Sequence, residues 1–210
     1  MHTNRSVLHQ MKDPREHIID TASKLFLQKG FKEVTIRELV ESAGVSKGAF
    51  YHYFTSKEQI FEEMVTDFFS SLIIADFDEL STTSLFDFYK NWVQKATASK
   101  IKLASIIQER SGISGNHYYL IFDGLRMIPA FKERFDKEQQ RELTSWIKII
   151  DIAKSSNEIS TNLSSSQIAK IFIYSSDGLS INLVMQNKLT DLHVESGKIW
   201  DDIYLLLKKR

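Results

Sequence analysis

The stretch TIRELVESAGVSKGAFYHYFTSKEQIF, residues 35 to 61, contains three helix starts in close succession. Thr35 is followed three residues later by Glu38, the spacing of a capping box in which each side chain satisfies a free backbone N–H. Ser46 is placed to cap the next helix, and Thr55 or Ser56 the one after it. The chain therefore has to build short, separately capped helices here rather than one long rod.

The middle of this stretch has the spacing of a helix-turn-helix. Gly44 ends the first helix, the turn is three or four residues long, and the second helix runs from Lys47 to about Tyr53. Such a pair places its second helix in the major groove of DNA, where base edges present a readable pattern of donors and acceptors. The pattern indicates a nucleic-acid-binding unit.

The rest of the chain predicts an all-α protein. The 210 residues include only two prolines and eight glycines, so few residues interrupt helices, and no strand-like alternation is found. A helix is predicted from Pro14, after the possible cap Asp13, to Lys29, and one from Thr55 or Ser56 to about Ile74. Further helices are predicted at 84–98, 100–110, 116–128, 130–155, 165–187 and 191–208.

Several side chains around the second helix of the pair suit contact with DNA. Lys47 and Lys57 can neutralise phosphates, and Gly48 lets the helix approach closely because it has no side chain. Arg37 on the bracing helix can reach a phosphate or a base. Tyr51 and His52 offer polar tips on flat rings, although His52 can also be an ordinary solvated residue.

Residues 15 to 61 resemble the DNA-binding domain of the TetR family of bacterial transcriptional regulators. The motifs that carry the resemblance are A-x-x-L-F from Ala22 to Phe26, then KGF, TIRELVESAGVSKGAFYHYF and SKEQIF. The resemblance implies about nine helices, with a three-helix DNA-binding domain at 1–58 and a larger helical domain for ligand and dimer contacts at 59–210. It also implies a homodimer on a palindromic double-stranded operator, released by a small-molecule effector.

Carried over by position, the family's phosphate contacts correspond to Thr35, Lys47, Tyr51 and Lys57. The positions that touch bases or backbone correspond to Arg37, Gly48 and His52. We expect a repressor. The resemblance fixes neither the operator nor the effector, and it does not exclude activation.

An effector pocket is expected in residues 75–165, mostly apolar with a few polar groups. Its predicted residues are aromatic and sulfur-containing side chains with polar partners: Trp92, His117, Tyr118, Tyr119, Phe122, Asp123, Arg126, Met127 and Trp146. The alternative for each of them is ordinary core, because several recur at helical spacing.

Two apolar stripes near the end of the chain predict a dimer surface. They comprise Ile168, Ile171, Phe172, Ser175, Leu179 and Leu183 on one helix, and Trp200, Ile203, Tyr204 and Leu207 on the next. The family resemblance implies a four-helix bundle between subunits. The alternative is that both stripes pack only within the subunit.

Composition and missing motifs exclude several other classes of protein. The chain has no cysteine, which excludes disulfides and thiolate metal sites, and we expect no cofactor and no metal. No apolar segment reaches the length of a membrane span, so a cytoplasmic protein is expected. An enzyme on a helical bundle finds no support, since no Glu-x-x-His pair or phosphate-binding glycine motif occurs. A DNA-binding protein controlled by a protein partner stays open.

Overall fold

The computed structural model describes the backbone of residues 13–72, 77–108, 117–186 and 192–209, with the side chains of 68–72, 78, 99–108 and 117–119 excepted. Within these ranges the fold is all-α, as predicted, with nine α-helices and one short 3-10 turn. In chain order they are α1 (Pro14–Lys29), α2 (Ile36–Ala43), α3 (Lys47–Tyr53), α4 (Lys57–Leu72), the 3-10 turn Phe77–Glu79, α5 (Leu85–Gln108), α6 (His117–Met127), α7 (Pro129–Ser155), α8 (Ser165–Met185) and α9 (Leu192–Leu207).

Helix α1 begins and ends where its sequence predicts. The Asp13 carboxylate accepts the Arg15 N–H at 3.1 Å, and Pro14 follows at the first helical position, where no N–H is needed. At the other end Gly30 has a φ of +79°, and its N–H donates to the Phe26 carbonyl at 2.8 Å. The cap and the terminating glycine therefore set the length of α1.

The first hydrophobic cluster joins α1–α4 to part of the larger bundle. Its buried residues are Ile18, Ala22, Leu25, Phe26, Leu27, Phe31, Val34, Leu39, Ala43, Phe50, Phe54, Ile60, Phe61, Met64, Val65, Leu120, Ile128 and Phe131. The last three lie on α6 and at the start of α7, so this cluster continues beyond the predicted boundary at residue 58. The division into two domains stays a prediction, but α4 and α6 share the core of the N-terminal helices.

The second cluster fills the larger bundle with stacked aromatic rings. Trp146 on α7 stacks on Phe172 of α8 with centroids 4.8 Å apart, and Trp200 of α9 meets Trp146 edge-on at 5.1 Å. The Trp200 indole N–H donates to the Phe172 carbonyl at 2.8 Å. Aromatic pairs of this geometry add about 0.5–1.5 kcal/mol to the burial itself. Helices α7, α8 and α9 are therefore held together by these rings.

The sequence prediction of separate helices at 84–98 and 100–110 is wrong. Helix α5 runs without interruption from Leu85 to Gln108. No glycine or proline occurs between these two residues, and alanines at positions 96 and 98 favour helix. The predicted break lay at the small polar residues Thr97 and Ser99. Ser and Thr are tolerated inside a helix, so they do not end α5.

The apolar character of the helices fits packing within the protein. Among the described residues no helix combines the length and the hydropathy needed to cross a bilayer. The end of α9 is joined to the turn after α7 by an isolated antiparallel bridge between Ile159 and Lys208.

Candidate nucleic-acid interface

The turn between α2 and α3 is built by local caps. Thr35 Oγ1 accepts the Glu38 N–H at 3.2 Å at the start of α2, and Ser46 Oγ accepts the Ala49 N–H at 3.1 Å at the start of α3. Between them Gly44 has a φ of +63°, in the left-handed region that a side chain disfavours. The predicted helix-turn-helix is therefore present, with both predicted caps in use.

The Glu38 carboxylate of the predicted capping box has an additional partner. It is bound by the Lys29 ammonium of α1, and this hydrogen bond, with a smaller contribution from the backbone N–H of Thr35, lowers the pKa of Glu38. Sequence spacing predicts the bond to Thr35 but not the lysine that the preceding helix brings to the same carboxylate. The pair ties the end of α1 to the first turn of α2.

Helix α3 divides into a buried side and an exposed side. Phe50 is fully buried, as is Phe54 just beyond the helix. Lys47, Gly48 and His52 are exposed, and Tyr51 has 43% of its surface accessible. Side chains of this exposed set are therefore available to a ligand outside the protein.

Arg37 extends from α2 with 87% of its side chain accessible. Its Nε lies 2.7 Å from Glu41 Oε1, and this hydrogen bond raises the pKa of Arg37. An exposed pair of this kind contributes little to stability. The guanidinium keeps further N–H donors, so it can exchange Glu41 for a phosphate or a base edge.

Lys57 differs from the other predicted contacts. It is half-buried, and its Nζ donates to the carbonyls of Phe31 at 2.8 Å and Val34 at 2.7 Å. The same ammonium lies 4.1 Å from the centroid of the Phe31 ring. Its partners in the structure are therefore inside the protein.

A polar chain that the sequence does not predict braces the α3–α4 turn. Arg15 pairs with Glu63 and lies over the Phe54 ring at 5.0 Å. Gln59 joins Glu63 at 3.4 Å and accepts the Thr55 N–H at 2.8 Å. The contact of Gln59 with Thr55 could be predicted from their spacing at the start of α4. The pair of Arg15 and Glu63 could not, because these residues are 48 positions apart in the chain.

Those predicted effector-pocket residues whose side chains the structure describes do not come together. Trp92 and Trp146 are buried in the second cluster, whereas Met127 packs against the first. Phe122 is 57% exposed, and Asp123 pairs with Arg126 at 2.6 Å on the surface of α6. The side chains of His117, Tyr118 and Tyr119 lie outside the described part. For the two tryptophans the core alternative is the correct one.

A groove among the described residues is open to solvent and mostly polar. It is lined by Glu79, Ser81, Thr83, Asp87, Lys90, Asn91 and Gln94, at the 3-10 turn and the first half of α5. None of the predicted pocket residues lines it. Because its lining carries both positive and negative charges and is open to solvent, the groove does not indicate one class of ligand.

The structure corrects the predicted dimer surface for five residues. Buried in the core of their own subunit are Ile168, Phe172, Trp200, Tyr204 and Leu207. Because their surfaces are already used, they cannot also face a partner. The half-buried side chains of Ser175, Leu179, Leu183 and Ile203 stay predictions.

Another side of α8, which includes Ile171 of the predicted stripe, carries exposed apolar residues. Ile171, Tyr174, Ile181 and Met185 recur at three, seven and four residues, which is one face of a helix. Tyr174 and Met185 have 61% and 74% of their surfaces accessible. Helix α9 adds the exposed Val194, Leu205 and Leu206. We call Ile171, Tyr174, Ile181 and Met185 the exposed α8 face.

Residues 18–64 match the family model described as bacterial regulatory proteins, tetR family. These residues cover α1 to α4 and hence the whole helix-turn-helix. The predicted resemblance of the N-terminal part to the TetR family is confirmed. Two relatives that share this part are HTH-type transcriptional repressors.

Among relatives by sequence, the HTH-type transcriptional repressor KstR2 of Mycolicibacterium smegmatis is 41% identical over 54 residues, 26% of each chain. The HTH-type transcriptional repressor NemR of Escherichia coli is 50% identical over 50 residues, 24% of this chain and 25% of its own. The matches therefore span about a quarter of these relatives' length.

Solved structures resemble the chain over almost its full length. KstR2 of Mycobacterium tuberculosis has a TM-score of 0.63 at 16% identity, covering 98% of this chain and 100% of its own. Reduced NemR of E. coli has a TM-score of 0.56 at 19% identity, covering 91% and 97%. At such identities the likeness shows a shared fold, and the larger bundle has diverged in sequence.

Proposed function

We propose that this chain is a dimeric transcriptional regulator of the TetR family, most simply a repressor, that binds a palindromic DNA operator. The observation that carries the proposal is the capped α2–turn–α3 unit with its exposed Lys47, Gly48, Tyr51 and His52. Helix α3 enters the major groove, while Thr35 and Arg37 on the bracing helix meet the backbone or a base. Residues 1–58 form the DNA-binding unit of this cytoplasmic protein.

The Thr35 and Ser46 hydroxyls support this geometry. Each accepts one backbone N–H at its helix start, and both residues are exposed. A hydroxyl has one proton to donate in addition to its acceptor pairs, so each can still bond a phosphate oxygen. Contacts of this type fix the register of the protein on DNA and carry no sequence information themselves.

Control by a small molecule is proposed for residues 59–210. The first hydrophobic cluster includes Val65 of α4, Leu120 of α6 and Phe131 of α7, so movement of α6 is passed to α4 by direct packing. Helix α4 starts four residues after α3 ends. An effector releases DNA only if it binds one separation of the two α3 helices better than the other.

Dimerisation is proposed through the exposed α8 face. Ile171, Tyr174, Ile181 and Met185 leave a row of apolar surface in contact with water, and burying such surface contributes about 25 cal/mol per Å². In an isologous contact, the same residues of α8 are buried on both subunits. The two-fold axis then sets the half-site spacing of the operator.

The experiment that tests the proposal is selection of bound sequences from a random DNA pool at near-physiological salt. We expect recovery of one palindrome with half-sites about 34–36 Å apart, or somewhat more for a longer operator. Recovery of single half-sites would contradict the dimer and keep DNA binding. A pool without enrichment, repeated with cell metabolites added, would refute sequence-specific binding.

A further inference from the structure

Glu63 of α4 contacts two other parts of the N-terminal helices. Its carboxylate pairs with the Arg15 guanidinium of α1, and its Oε1 accepts the side-chain N–H of Gln59 at 3.4 Å. The Glu63 side chain keeps 30% of its surface accessible, and that of Arg15 keeps 41%. An isolated ion pair at such exposure contributes little to stability. The importance of this pair therefore depends on what its two partners hold in place.

Gln59 carries the contact from Glu63 to the turn between α3 and α4. Its Oε1 accepts the backbone N–H of Thr55 at 2.8 Å and the Thr55 hydroxyl at 3.0 Å. Thr55 follows directly after Phe54, which ends α3. Because an amide has distinct donor and acceptor ends, the bond from its nitrogen to Glu63 turns the Gln59 oxygen towards Thr55.

Arg15 reaches the same turn from the other side. Its Cζ lies 5.0 Å from the centroid of the Phe54 ring, and a cation over an aromatic face is attracted to it. The contacts therefore form a closed chain that begins and ends at Phe54. We call it the Glu63 network, and its members are Arg15, Phe54, Thr55, Gln59 and Glu63.

The Glu63 network holds the end of α3. This helix spans only seven residues, from Lys47 to Tyr53, so few contacts of its own fix its direction. Its start is held by the Ser46 cap, and its end by Phe54, which is fully buried. A shift of the turn after Phe54 therefore changes the direction in which the exposed side of α3 faces.

The charge of Glu63 is opposite to the charge that favours DNA binding. A carboxylate repels phosphate, so electrostatics alone predicts that removing it strengthens binding to DNA. A role in holding α3 predicts the reverse, because the recognition helix loses its fixed direction. The sign of the change in affinity therefore distinguishes the two effects.

We infer that Glu63 is a positioning residue for DNA recognition, which holds the α3–α4 turn against α1 through Arg15 and Gln59. The inference rests on the proposed DNA-binding function. It requires no contact between Glu63 and DNA, because Glu63 acts on the direction of α3.

The test compares Glu63→Met with Glu62→Met, the same change at adjacent positions of α4. Glu62 is exposed. Affinity for the selected operator is measured by fluorescence anisotropy over a range of salt concentrations, and thermal unfolding shows that each variant is folded at the measuring temperature. We expect Glu63→Met to bind roughly three- to tenfold more weakly, with the parent slope of log K against log[salt]. We expect Glu62→Met to bind at least as tightly as the parent protein.

Arg15→Met and the double variant show whether the pair acts as a unit. If Glu63 acts through Arg15, the double variant binds no more weakly than Arg15→Met alone, so the two losses are not additive. Gln59→Met changes no charge, and we expect it to weaken binding at an unaltered salt slope. This variant keeps the test decisive if a charge variant does not fold.

Two results would overturn the inference while the parent protein binds its operator. One is a Glu63→Met variant that binds as tightly as the parent or more tightly, and the other is strict additivity of the Arg15 and Glu63 changes. Selection of no DNA sequence by the parent protein would instead refute the proposed function, and the role of Glu63 in recognition with it. The two failures are therefore distinguishable.

Discussion

At the scale of single residues, Gly48 is a position where folding tolerates a side chain but DNA binding is expected not to. It lies inside α3 in ordinary helical conformation, and a Cβ built there meets only Ser46 Oγ, at 3.9 Å. The free protein therefore has room for a side chain. The absence of a side chain matters only if something outside the protein comes close.

Gly48→Ala is therefore expected to leave folding intact and to weaken DNA binding. Alanine is better than glycine inside a helix by up to about 1 kcal/mol, so Tm should stay equal or rise. The added methyl group would hold α3 away from DNA, and we expect affinity to fall roughly tenfold, about 1.4 kcal/mol. Thermal unfolding and fluorescence anisotropy with the selected operator measure the two effects. Unchanged affinity would mean that residue 48 faces away from DNA.

Gly44→Ala is the matched control with the opposite expectation for stability. Its surroundings are equally open, but its φ of +63° is strained for alanine, at a cost of about 1–2 kcal/mol. A lower Tm for this variant beside a parent-like Tm for Gly48→Ala would separate backbone strain from contact with DNA.

At the scale of elements, the contact between α4 and α6 depends on Gly124. A Cβ at this position would lie 2.8 Å from Val65 Cγ1 of α4 and 3.1 Å from the Phe131 ring of α7. Val65 and Phe131 are both buried, so neither can move freely away. The absence of a side chain at 124 is what lets these helices approach.

Gly124→Ala is expected to destabilise the protein by about 1–3 kcal/mol through overpacking. Urea unfolding of the variant measures the loss. Val65→Ala in the same chain makes room for the new methyl, so the double variant should be more stable than the sum of the two single changes predicts. If the changes in unfolding free energy are strictly additive, α6 accommodates the methyl group by moving, without pressing on Val65 of α4.

The contact of α7 with α8 gives a pH dependence. Burial, together with the Asp177 carboxylate, raises the pKa of Glu142 from 4.5 to about 7, partly opposed by the Trp146 N–H. Folding therefore favours the protonated carboxyl. The stability contributed by this proton is fully present below pH 4.5, falls as the pH rises, and is lost above about pH 7.

Glu142→Gln is expected to remove that fall, with a gain at pH 8 of at most about 3 kcal/mol. Chemical unfolding at pH 5 and pH 8 checks this. Glu133→Gln on the same helix is the control: Lys137 lowers the pKa of Glu133, so its removal cannot relieve a penalty at high pH. A parent-like pH dependence in Glu142→Gln would show that this carboxyl is ionised in the folded state.

At the scale of the whole molecule, the exposed α8 face tests the proposed dimer. Ile181→Asp places a charge among Ile171, Tyr174 and Met185, and burying it without a partner is costly. We expect the protein to become monomeric by sedimentation and to lose affinity for a full palindrome.

Phe122→Ser on α6 is the control for this experiment, since it removes a comparable exposed apolar side chain from another helix. It should sediment like the parent protein. If Ile181→Asp also sediments as the parent does, this face is not the subunit contact.

The sequence by itself determined helices α1 to α3 and the helix-turn-helix that they contain. Caps at Thr35 and Ser46, the left-handed Gly44 and the proline at the start of α1 act on their immediate neighbours, and such local energies can be read directly from the chain. The same holds for Phe50 and Phe54, whose inward direction follows from the short helix between two caps.

Only the tertiary structure decided which surfaces each helix uses. Helix α8 has two apolar faces, one containing Phe172 and one containing Ile171, and its 3.6-residue period shows both without saying which meets the subunit's own core. Lys57 is a similar case: its charge suggests phosphate, and the structure adds partners that lie 23 and 26 residues back along the chain. Contacts at such separations depend on how whole helices pack, and no local pattern contains that information.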